Sequence, residues 1–487
     1  MEIDIFLSHG TVIPMDPERR IIEDGAVAVN AGRIVQVGKT LDLEPLYQAK
    51  KVIDCKHHVI MPGLIDAHGH AGHSMFKCLL MERMSNWMKY MTYTYHNRTT
   101  DEFWYTEARL SALERLKAGI TTGVSVMGST PRSDTSIPGC NNARGYAEVG
   151  VRDIVCPGPA NPPWPHEFSR YIEGQWVTNL VPYAEAIEGM EGVIETWNHG
   201  ANDRIRVFVA PFVIVTSVDP SNPTAPDLAV KLTKHDRHQM RKMREVASKY
   251  DTRIHSDAFG GMIQMCHEDD YALLGPDVHL QHCQGISFLE AQILAKTGTH
   301  VSSAPGARGF DHRCPVPELL AMGVPVAITT DGTSPAQPFD LFQAARKTQM
   351  VHQFLSHDGY YLPTGKLLEM ITIDAAKVVG WDDELGSLEE GKKADIITVD
   401  LRAPHTTPNY LPVHRLIHQA VGHDVDTVII DGQLIMQNRV ILTVNEDEIL
   451  AEAEIEAHRT IVDAGLEEFL QLPPNFWGSP RIILTED

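Results

Sequence analysis

Residues 59–74 read VIMPGLIDAHGHAGHS, an apolar run that ends in three histidines, His68, His70 and His73. Side chains at positions i and i+2 of a strand share a face, so His68 and His70 point the same way. Gly69, between them, lets another part of the backbone pass closely. The stretch therefore predicts a buried strand that ends in two imidazoles on one face.

Similar apolar runs recur along the chain, and their number and spacing predict the fold. Eight mainly apolar runs, separated by longer segments with helical spacing, lie at 59–68, 120–127, 151–158, 204–215, 252–257, 278–283, 299–305 and 324–331. Strands that alternate with helices are typical of a parallel sheet, and eight of them favour closure into a barrel. We predict an α/β fold, a (β/α)8 TIM-like barrel.

The two ends of the chain have a different pattern. Short alternating strands with turns between them fill residues 1–60, and strands return over 385–445, where Asp431-Gly432 marks a hairpin. We predict that these two segments form one composite β-sandwich domain. The barrel then spans 61–384, and 446–487 form a C-terminal helical extension.

Composition excludes several classes of protein. The 487 residues are 43% hydrophobic and 22% charged, and no apolar stretch is long enough to span a bilayer. A formal charge of −22 without a basic cluster disfavours nucleic acid and membrane surfaces as partners, which leaves a small-molecule substrate. The first residues lack the features of a secretory signal, so we expect a cytoplasmic protein. The seven scattered cysteines include no CxxC pair, which argues against a disulfide framework or a zinc finger.

Polar residues stand at the ends of several predicted strands. His255 ends the fifth run, His282 the sixth and Asp331 the eighth. In a β/α barrel, strand ends face the mouth where active sites are built, and an aspartate after an apolar run is costly to bury without a cation or donors. Together with His68 and His70, these residues predict a metal site. His279 precedes His282 by three and should face away from it, so we expect only His282 to point inward.

The chain resembles the amidohydrolase superfamily, in the branch that holds triazine hydrolases, cytosine and guanine deaminases, and phenylurea and thiocarbamate hydrolases. The residues that carry the resemblance are PGLIDAHGH (62–70), RIHSD (253–257), QHC (281–283), TTDGTSP (329–335) and GSLEEGKKADIITVD (386–400). The resemblance implies a metal-dependent hydrolase that acts on carbon–nitrogen bonds other than peptide bonds. Because many relatives associate as dimers or larger, it also implies a homo-oligomer.

The resemblance also implies roles for the strand-end residues. One divalent metal ion, Zn²⁺ by preference with Fe²⁺, Co²⁺ or Mn²⁺ as alternatives, would be held by His68, His70, His255 and Asp331. His282 would polarise the substrate or a bound water, and Asp331 would also move protons as a catalytic residue. Two-metal members usually carry a bridging carboxylated lysine on the fourth strand. The run 204–215 has no lysine, which favours a single metal ion.

One departure from the pattern bears on the reaction. Deaminases of this branch have a glutamate three residues after the strand-5 histidine, and this chain has Ala258 there. Asp257 shares the face of His255 and is a candidate catalytic acid/base, with a structural hydrogen-bonding role as the alternative. The loss favours hydrolysis of a small, fairly apolar amide, urea or carbamate. The alternatives are an aminohydrolase or dechlorinase of a purine, pyrimidine or s-triazine ring, and a catalytically silent binding protein.

Residues near these strand ends are candidates for substrate contacts. The segment 75–95, rich in methionine and aromatic residues, follows the His68-Gly69-His70 strand, and Trp87 and Met84 are candidates for an apolar wall. His73 is a bystander or a pocket residue. Arg308 and His312 lie in the loop after the seventh strand, at the predicted mouth.

Overall fold

The computed structural model describes residues 1–81, 84–218, 231–268, 273–305, 313–473 and 476–478, with the backbone alone at Met84 and Ser85. The strands are β1 Glu2–Val12, β2 Ile22–Asn30, β3 Arg33–Lys39, β4 Gln48–Asp54, β5 His58–Pro62, β6 Leu64–Asp66, β7 His70–Ala71, β8 Ile120–Met127, β9 Arg152–Cys156, β10 His166–Ile172, β11 Gln175–Val181, β12 Ile205–Val207, β13 Ile254–Phe259, β14 Val278–Gln284, β15 His300–Ser303, β16 Val326–Ile328, β17 Ile396–Asp400, β18 Val425–Ile430, β19 Gln433–Gln437 and β20 Val440–Ile441.

The helices alternate with the central strands. They are α1 Thr40–Leu43, α2 Met84–Asn97, α3 Asp101–Lys117, α4 Ile137–Val149, α5 Tyr183–Trp197, α6 Gly200–Asp203, α7 Lys234–Lys249, α8 Met262–His267, α9 Phe288–Thr297, α10 Val316–Ala321, α11 Leu341–Ser356, α12 Thr364–Met370, α13 Ile373–Val378, α14 Pro412–His418 and α15 Glu446–Asp463. None of the helices in the described ranges combines the length and the apolar character needed to cross a bilayer.

Each of the eight predicted apolar runs contains a strand, and these strands are parallel. They form two sheets, in the orders β12-β9-β8-β6 (with β7 also on β8) and β13-β14-β15-β16. Isolated parallel bridges from Val209 to Ile254 and from Val213 to Asp257 join one pair of edges. At the other pair of edges, Asp331 N donates to the His68 carbonyl at 3.2 Å. The predicted α/β class with parallel strands is confirmed, whereas the described pairing shows two sheets and not a closed barrel.

Local sequence signals explain where several of these helices begin. Helix α9 starts with a capping box, in which Ser287 accepts from Glu290 N while the Glu290 carboxylate accepts from Ser287 N. Thr233 and Asp236 form the same arrangement at α7. Helix α9 ends at Gly298, whose φ of 71° suits a residue without a side chain. These short-range bonds set the helices at fixed positions after their strands.

Strands from both ends of the chain pair in one nine-stranded sheet, with β17 antiparallel to β5. Alternate residues of β1, including Ile5 and Leu7, pack in one apolar cluster with Ile396 and Ile429 of the C-terminal strands. The two termini therefore do share one unit. The two-layer sandwich and the domain boundaries remain predictions.

A buried ion pair joins this sheet to the parallel strands. Arg152, the first residue of β9, donates from Nε and Nη2 to the Asp395 carboxylate at 2.7 and 3.0 Å. Both side chains are buried, and a two-point contact of this kind fixes orientation as well as distance. The pair lies at the amino end of its strand, opposite the end at which the predicted site residues stand.

Candidate metal centre

His68 and His70 meet at the end of the first parallel strand. His68 follows β6 and His70 begins β7, and their Nε2 atoms lie 3.2 Å apart. Both side chains are buried. Gly69 is required between them, since a Cβ there would lie 2.5 Å from Nη2 of Arg115. The predicted pairing of the two imidazoles on one face is present.

Asp331 and His255 approach the same pair. Asp331 Oδ1 lies 3.1 Å from His70 Nε2 and 3.5 Å from His68 Nε2. His255 Nε2 lies 2.8 Å from Nδ1 of His68, which is the other nitrogen of that ring. The four predicted ligands therefore gather around His68. His68, His70 and Asp331 share one centre, with ligand atoms within 4.8 Å of one another, and His255 contacts His68 from the opposite side.

The hydrogen bonds behind these rings indicate that their inward atoms are acceptors. Nδ1 of His70 lies 2.8 Å from the Gly128 carbonyl oxygen, so we assign the ring proton to that nitrogen. Nδ1 of His255 lies 3.2 Å from the His279 carbonyl oxygen, with the same consequence. In the neutral rings, Nε2 then offers a lone pair, and Nε2 of His70 faces a carboxylate. Only a cation or a proton relieves that repulsion, so the donor set fits a metal ion.

Burial and neighbouring charges tune the titration of these groups. Burial lowers the pKa of His68 to about 4 and holds the pKa of His255 well below its usual value. Burial raises the pKa of Asp331, but the neighbouring rings of His68, His70 and His282 together lower it by more and place the pKa well below 3.8. For His70, burial lowers the pKa, but the carboxylates of Asp331 and Asp257 and the Gly128 carbonyl together raise it by more, so the pKa lies above its usual value. The centre therefore combines neutral imidazoles at His68 and His255 with a negative carboxylate at Asp331, which attracts positive charge to His70 and to the space beside it.

Asp257 and His282 form a second group beside His68. Oδ2 of Asp257 lies 3.7 Å from Nε2 of His282, and these two residues and His68 offer ligand atoms within 4.8 Å of one another. The His282 ring lies 5.6 Å from the His68 ring and stacks on Phe259 at 5.4 Å. Both proposed catalytic side chains are thus buried next to the centre. The roles predicted for them remain predictions.

The expectation that His279 points away from the site was wrong. Its ring stacks on His255 at 3.9 Å, and its Nε2 lies 3.2 Å from the Ala67 carbonyl oxygen. The cause is local backbone geometry, because His282 and Cys283 have φ values of 70° and 47° and break the strand alternation. His279 and His282 therefore both reach the interior, and His279 supports the ring of His255.

The sequence reasoning also missed Asp66. Its buried carboxylate accepts from Thr330 N at 3.0 Å and from Thr330 Oγ1 at 2.6 Å. These bonds join the first parallel strand to the segment that carries Asp331. A signal was present, since Asp66 interrupts an apolar run just before His68.

The predicted substrate residues are only partly described. His73 stacks on His70 at 4.5 Å, and Trp87 contacts the His73 ring edge to face at 5.3 Å while its Nε1 donates to Ser334 Oγ at 3.1 Å. Arg308, His312 and the side chain of Met84 lie outside the described residues. His73 and Trp87 therefore border the centre, and substrate contact by any of the five remains a prediction.

Comparison with known proteins identifies the family. The amidohydrolase family model matches residues 59–435. This chain belongs to the amidohydrolase family. The match covers all the strand-end residues described above, and the predicted resemblance is confirmed.

Relatives of this amidohydrolase include deaminases and triazine hydrolases. A 5-methylthioadenosine/S-adenosylhomocysteine deaminase from Syntrophobacter fumaroxidans is 28% identical over 457 residues, covering 92% of this chain and 96% of the relative. The structure of an adenosine deaminase from Xanthomonas campestris with bound zinc has a TM-score of 0.78 at 22% identity, with 95% and 99% of the two chains covered. Atrazine chlorohydrolase from Arthrobacter aurescens with zinc has a TM-score of 0.74 at 21% identity, with 93% and 100% covered.

These findings establish the enzyme class and the cofactor. The protein is an amidohydrolase that acts on carbon–nitrogen bonds. Its cofactor is a divalent metal ion, and both solved neighbours hold zinc. His68, His70 and Asp331 supply the buried donor atoms that such an ion needs.

Replacement of Gly332 by alanine is expected to destabilise this amidohydrolase. A Cβ at that position would clash with Nδ1 of His73, which cannot retreat because its ring is stacked between His70 and Tyr95. We expect the free energy of unfolding to fall by about 1–3 kcal/mol, measured by chemical denaturation. Gly359→Ala is the matched control, since nothing lies within 4 Å of its added Cβ. Equal stability of the two variants would contradict this account of the packing.

Proposed function

We propose that this amidohydrolase is a metal-dependent aminohydrolase that releases ammonia from an aromatic nitrogen ring, with an adenine nucleoside carrying a 5′ substituent as the substrate class. One observation carries the proposal: the Asp257 carboxylate lies 3.7 Å from His282 Nε2, beside His68. The relative named as a deaminase of 5-methylthioadenosine and S-adenosylhomocysteine supports the choice of ring.

Ring deamination requires an acid, and Asp257 occupies a suitable position. Attack on an aromatic amidine carbon becomes feasible when a ring nitrogen is protonated, because the electron pair displaced from the ring then has somewhere to go. Asp257 delivers that proton. Its backbone is held on both sides, since Asp257 N donates to the Phe212 carbonyl at 3.3 Å and its carbonyl accepts from Ile214 N at 3.1 Å.

The remaining steps fall to His282 and Asp331. When bound, a divalent cation lowers the pKa of water from 15.7 to roughly 7 and so supplies a nucleophile at neutral pH. Asp331, negative at neutral pH, accepts a proton from the attacking water and passes it to the leaving amino group. His282 steadies the charge that develops at the attacked carbon. Water replaces the amino group, which leaves as ammonia, and the remaining proton of the new hydroxyl group returns to Asp257 as the ring carbonyl forms.

Hydrolysis of an amide, urea or carbamate is the rival reaction. It was favoured by Ala258 at the position of the expected glutamate, and that side chain is indeed buried and apolar. Cleavage of such a carbonyl needs only a polarised oxygen and a protonated leaving amine, so it does not require Asp257. The Asp257 carboxylate, 3.7 Å from His282 Nε2, supports the ring reaction over this rival. A silent binding protein has less support, since the metal donors are all present.

The test is ammonia release by the zinc-loaded protein and by Asp257→Asn. For the wild type we expect turnover of 5′-substituted adenosines above that of simple amides, phenylureas and carbamates. For Asp257→Asn we expect kcat on the ring amine to fall about 10²-fold or more, with zinc content unchanged. Asp251→Asn is the control, an exposed aspartate on the turn after α7. A wild type that cleaves only amides or ureas, or a ring deaminase that tolerates Asp257→Asn, would refute the proposal.

A further inference from the structure

Glu107 is a buried acidic residue that none of the proposed chemical steps uses. It lies in α3 and is 0% exposed. Burial raises the pKa of its carboxyl group, although the backbone N–H of Ser74 and the hydroxyl of Ser111 donate to Oε1. A buried acid of this kind costs folding free energy that an apolar side chain of similar size would not. Its surroundings show what it does instead.

One oxygen of Glu107 holds the turn that follows His70. Oε1 accepts from Ser74 N at 3.1 Å, in the turn whose histidine, His73, stacks on His70. Gly72 begins this turn with a φ of 88°, and a Cβ there would lie 2.7 Å from Tyr95. The turn is therefore confined on one side by packing and on the other by the carboxylate. The position of this turn determines where the His73 ring stacks on the His70 ring.

A chain of hydroxyl groups extends the same contact to the segment that carries Asp331. Ser111 Oγ donates to Glu107 Oε1 at 2.7 Å, Ser74 Oγ lies 2.8 Å from Ser111 Oγ, and Thr333 Oγ1 lies 3.2 Å from Ser74 Oγ. Because the Ser111 hydroxyl donates its proton to the carboxylate, it can only accept from Ser74. The Ser74 hydroxyl therefore donates to Ser111, and the Thr333 hydroxyl donates to Ser74. Aligned hydrogen bonds of this kind strengthen one another in a buried site.

We propose that Glu107 is a positioning residue for the metal centre, which sets the distance between His70 and Asp331 by holding the turns after them in one hydrogen-bond chain. Thr333 lies two residues after Asp331, and Ser74 lies four after His70. The two segments also touch directly, since His73 packs against Gly332. Loss of the acceptor at the end of the chain leaves the backbone N–H of Ser74 and the three hydroxyl groups without their common acceptor.

The test measures zinc affinity of the full-length protein by competition with a chromophoric chelator. In Glu107→Leu, which keeps a similar volume and removes the acceptor, we expect the zinc Kd to rise about 10- to 100-fold. In Glu107→Gln, the amide oxygen accepts the same hydrogen bonds. We therefore expect a Kd within about threefold of the wild type, because the acceptor is kept and only the negative charge is lost. Rescue by glutamine separates the loss of this acceptor from a simple loss of the negative charge.

Two further variants keep the outcome decisive. If Glu107→Leu fails to fold, Ser111→Ala cuts the chain between Glu107 and Ser74 Oγ and is expected to weaken zinc binding about 3- to 10-fold. Glu290→Leu is the matched control, a buried glutamate that also accepts from backbone N–H groups, those of Ser287, Ile263 and Gln264. We expect it to bind zinc as the wild type does.

The inference is overturned by zinc affinity of wild-type strength in Glu107→Leu or Ser111→Ala, by failure of glutamine to rescue, or by equal weakening in Glu290→Leu. Zinc binding is measured without substrate. The result therefore stands apart from the proposed deaminase activity, and either can fail without the other.

Discussion

Removal of the divalent metal ion is expected to lower turnover by about 10³-fold or more. Nε2 of His70 is a lone-pair donor, Nε2 of His68 lies 3.2 Å from it, and Asp331 adds a negative charge beside them. Without a cation, the nucleophile is ordinary water with a pKa of 15.7, and the carboxylate of Asp331 pairs with a proton on His70. The measurement is kcat after dialysis against a zinc chelator, with elemental analysis of the same sample.

Re-addition of zinc to the dialysed protein is the control. We expect activity to return with about one equivalent of zinc per chain, because one centre is formed by His68, His70 and Asp331. The circular dichroism spectrum should show that the metal-free chain remains folded, since the apolar cluster that packs the parallel strands includes none of His68, His70 and Asp331. Full turnover in protein that elemental analysis shows to be metal-free would overturn the metal mechanism.

The alternation of strands and helices was predictable from the sequence because it depends on local composition. Each strand is a short apolar run, and several of the following helices carry their own start signal, as Ser287 and Glu290 show for α9. The two-residue period of a strand was enough to place His68 and His70 on one face. Pairing between Asp331 N and the His68 carbonyl joins residues far apart in the chain, and no local pattern specifies it.

The prediction for His279 was wrong because it assumed regular strand alternation up to His282. Parallel pairing places His279 beside His255 and His282 beside Ala258. A regular strand would turn His282 to the other face from His279, but positive φ values at His282 and Cys283 rotate that end of the strand. Backbone strain of this kind at non-glycine residues depends on tertiary contacts, so the sequence does not show it.

The preference for amide hydrolysis over ring deamination depends on the side-chain directions of two adjacent residues, which the sequence does not fix. The absence of a glutamate at position 258 favours amide hydrolysis, whereas Asp257, one residue earlier, is a candidate acid that keeps ring deamination open. Which of two adjacent positions faces a site depends on how the strand ends. In the structure, Asp257 points towards His282, and Ala258 is packed in the core.

Replacement of Asp331 by asparagine is also expected to have a large effect and to lower kcat by about 10³-fold. Asparagine has nearly the same shape but no negative charge, so it neither balances the cation nor accepts a proton from the attacking water. The neighbouring rings of His68, His70 and His282 hold the pKa of Asp331 well below 3.8, so this carboxylate is ionised at neutral pH. The measurement is kcat and KM with zinc in excess, so that weakened metal binding is separated from lost proton transfer.

Asp358→Asn, at an exposed loop aspartate, is the matched control and should leave kcat unchanged. Two results of Asp331→Asn can be told apart by zinc content. Loss of kcat with zinc retained means that the carboxylate moves protons, whereas loss that disappears at high zinc means that it only holds the ion. A variant that retains zinc and turns over within about threefold of the wild type contradicts both roles, because a carboxylate 3.1 Å from His70 Nε2 would then contribute neither charge nor base to the reaction.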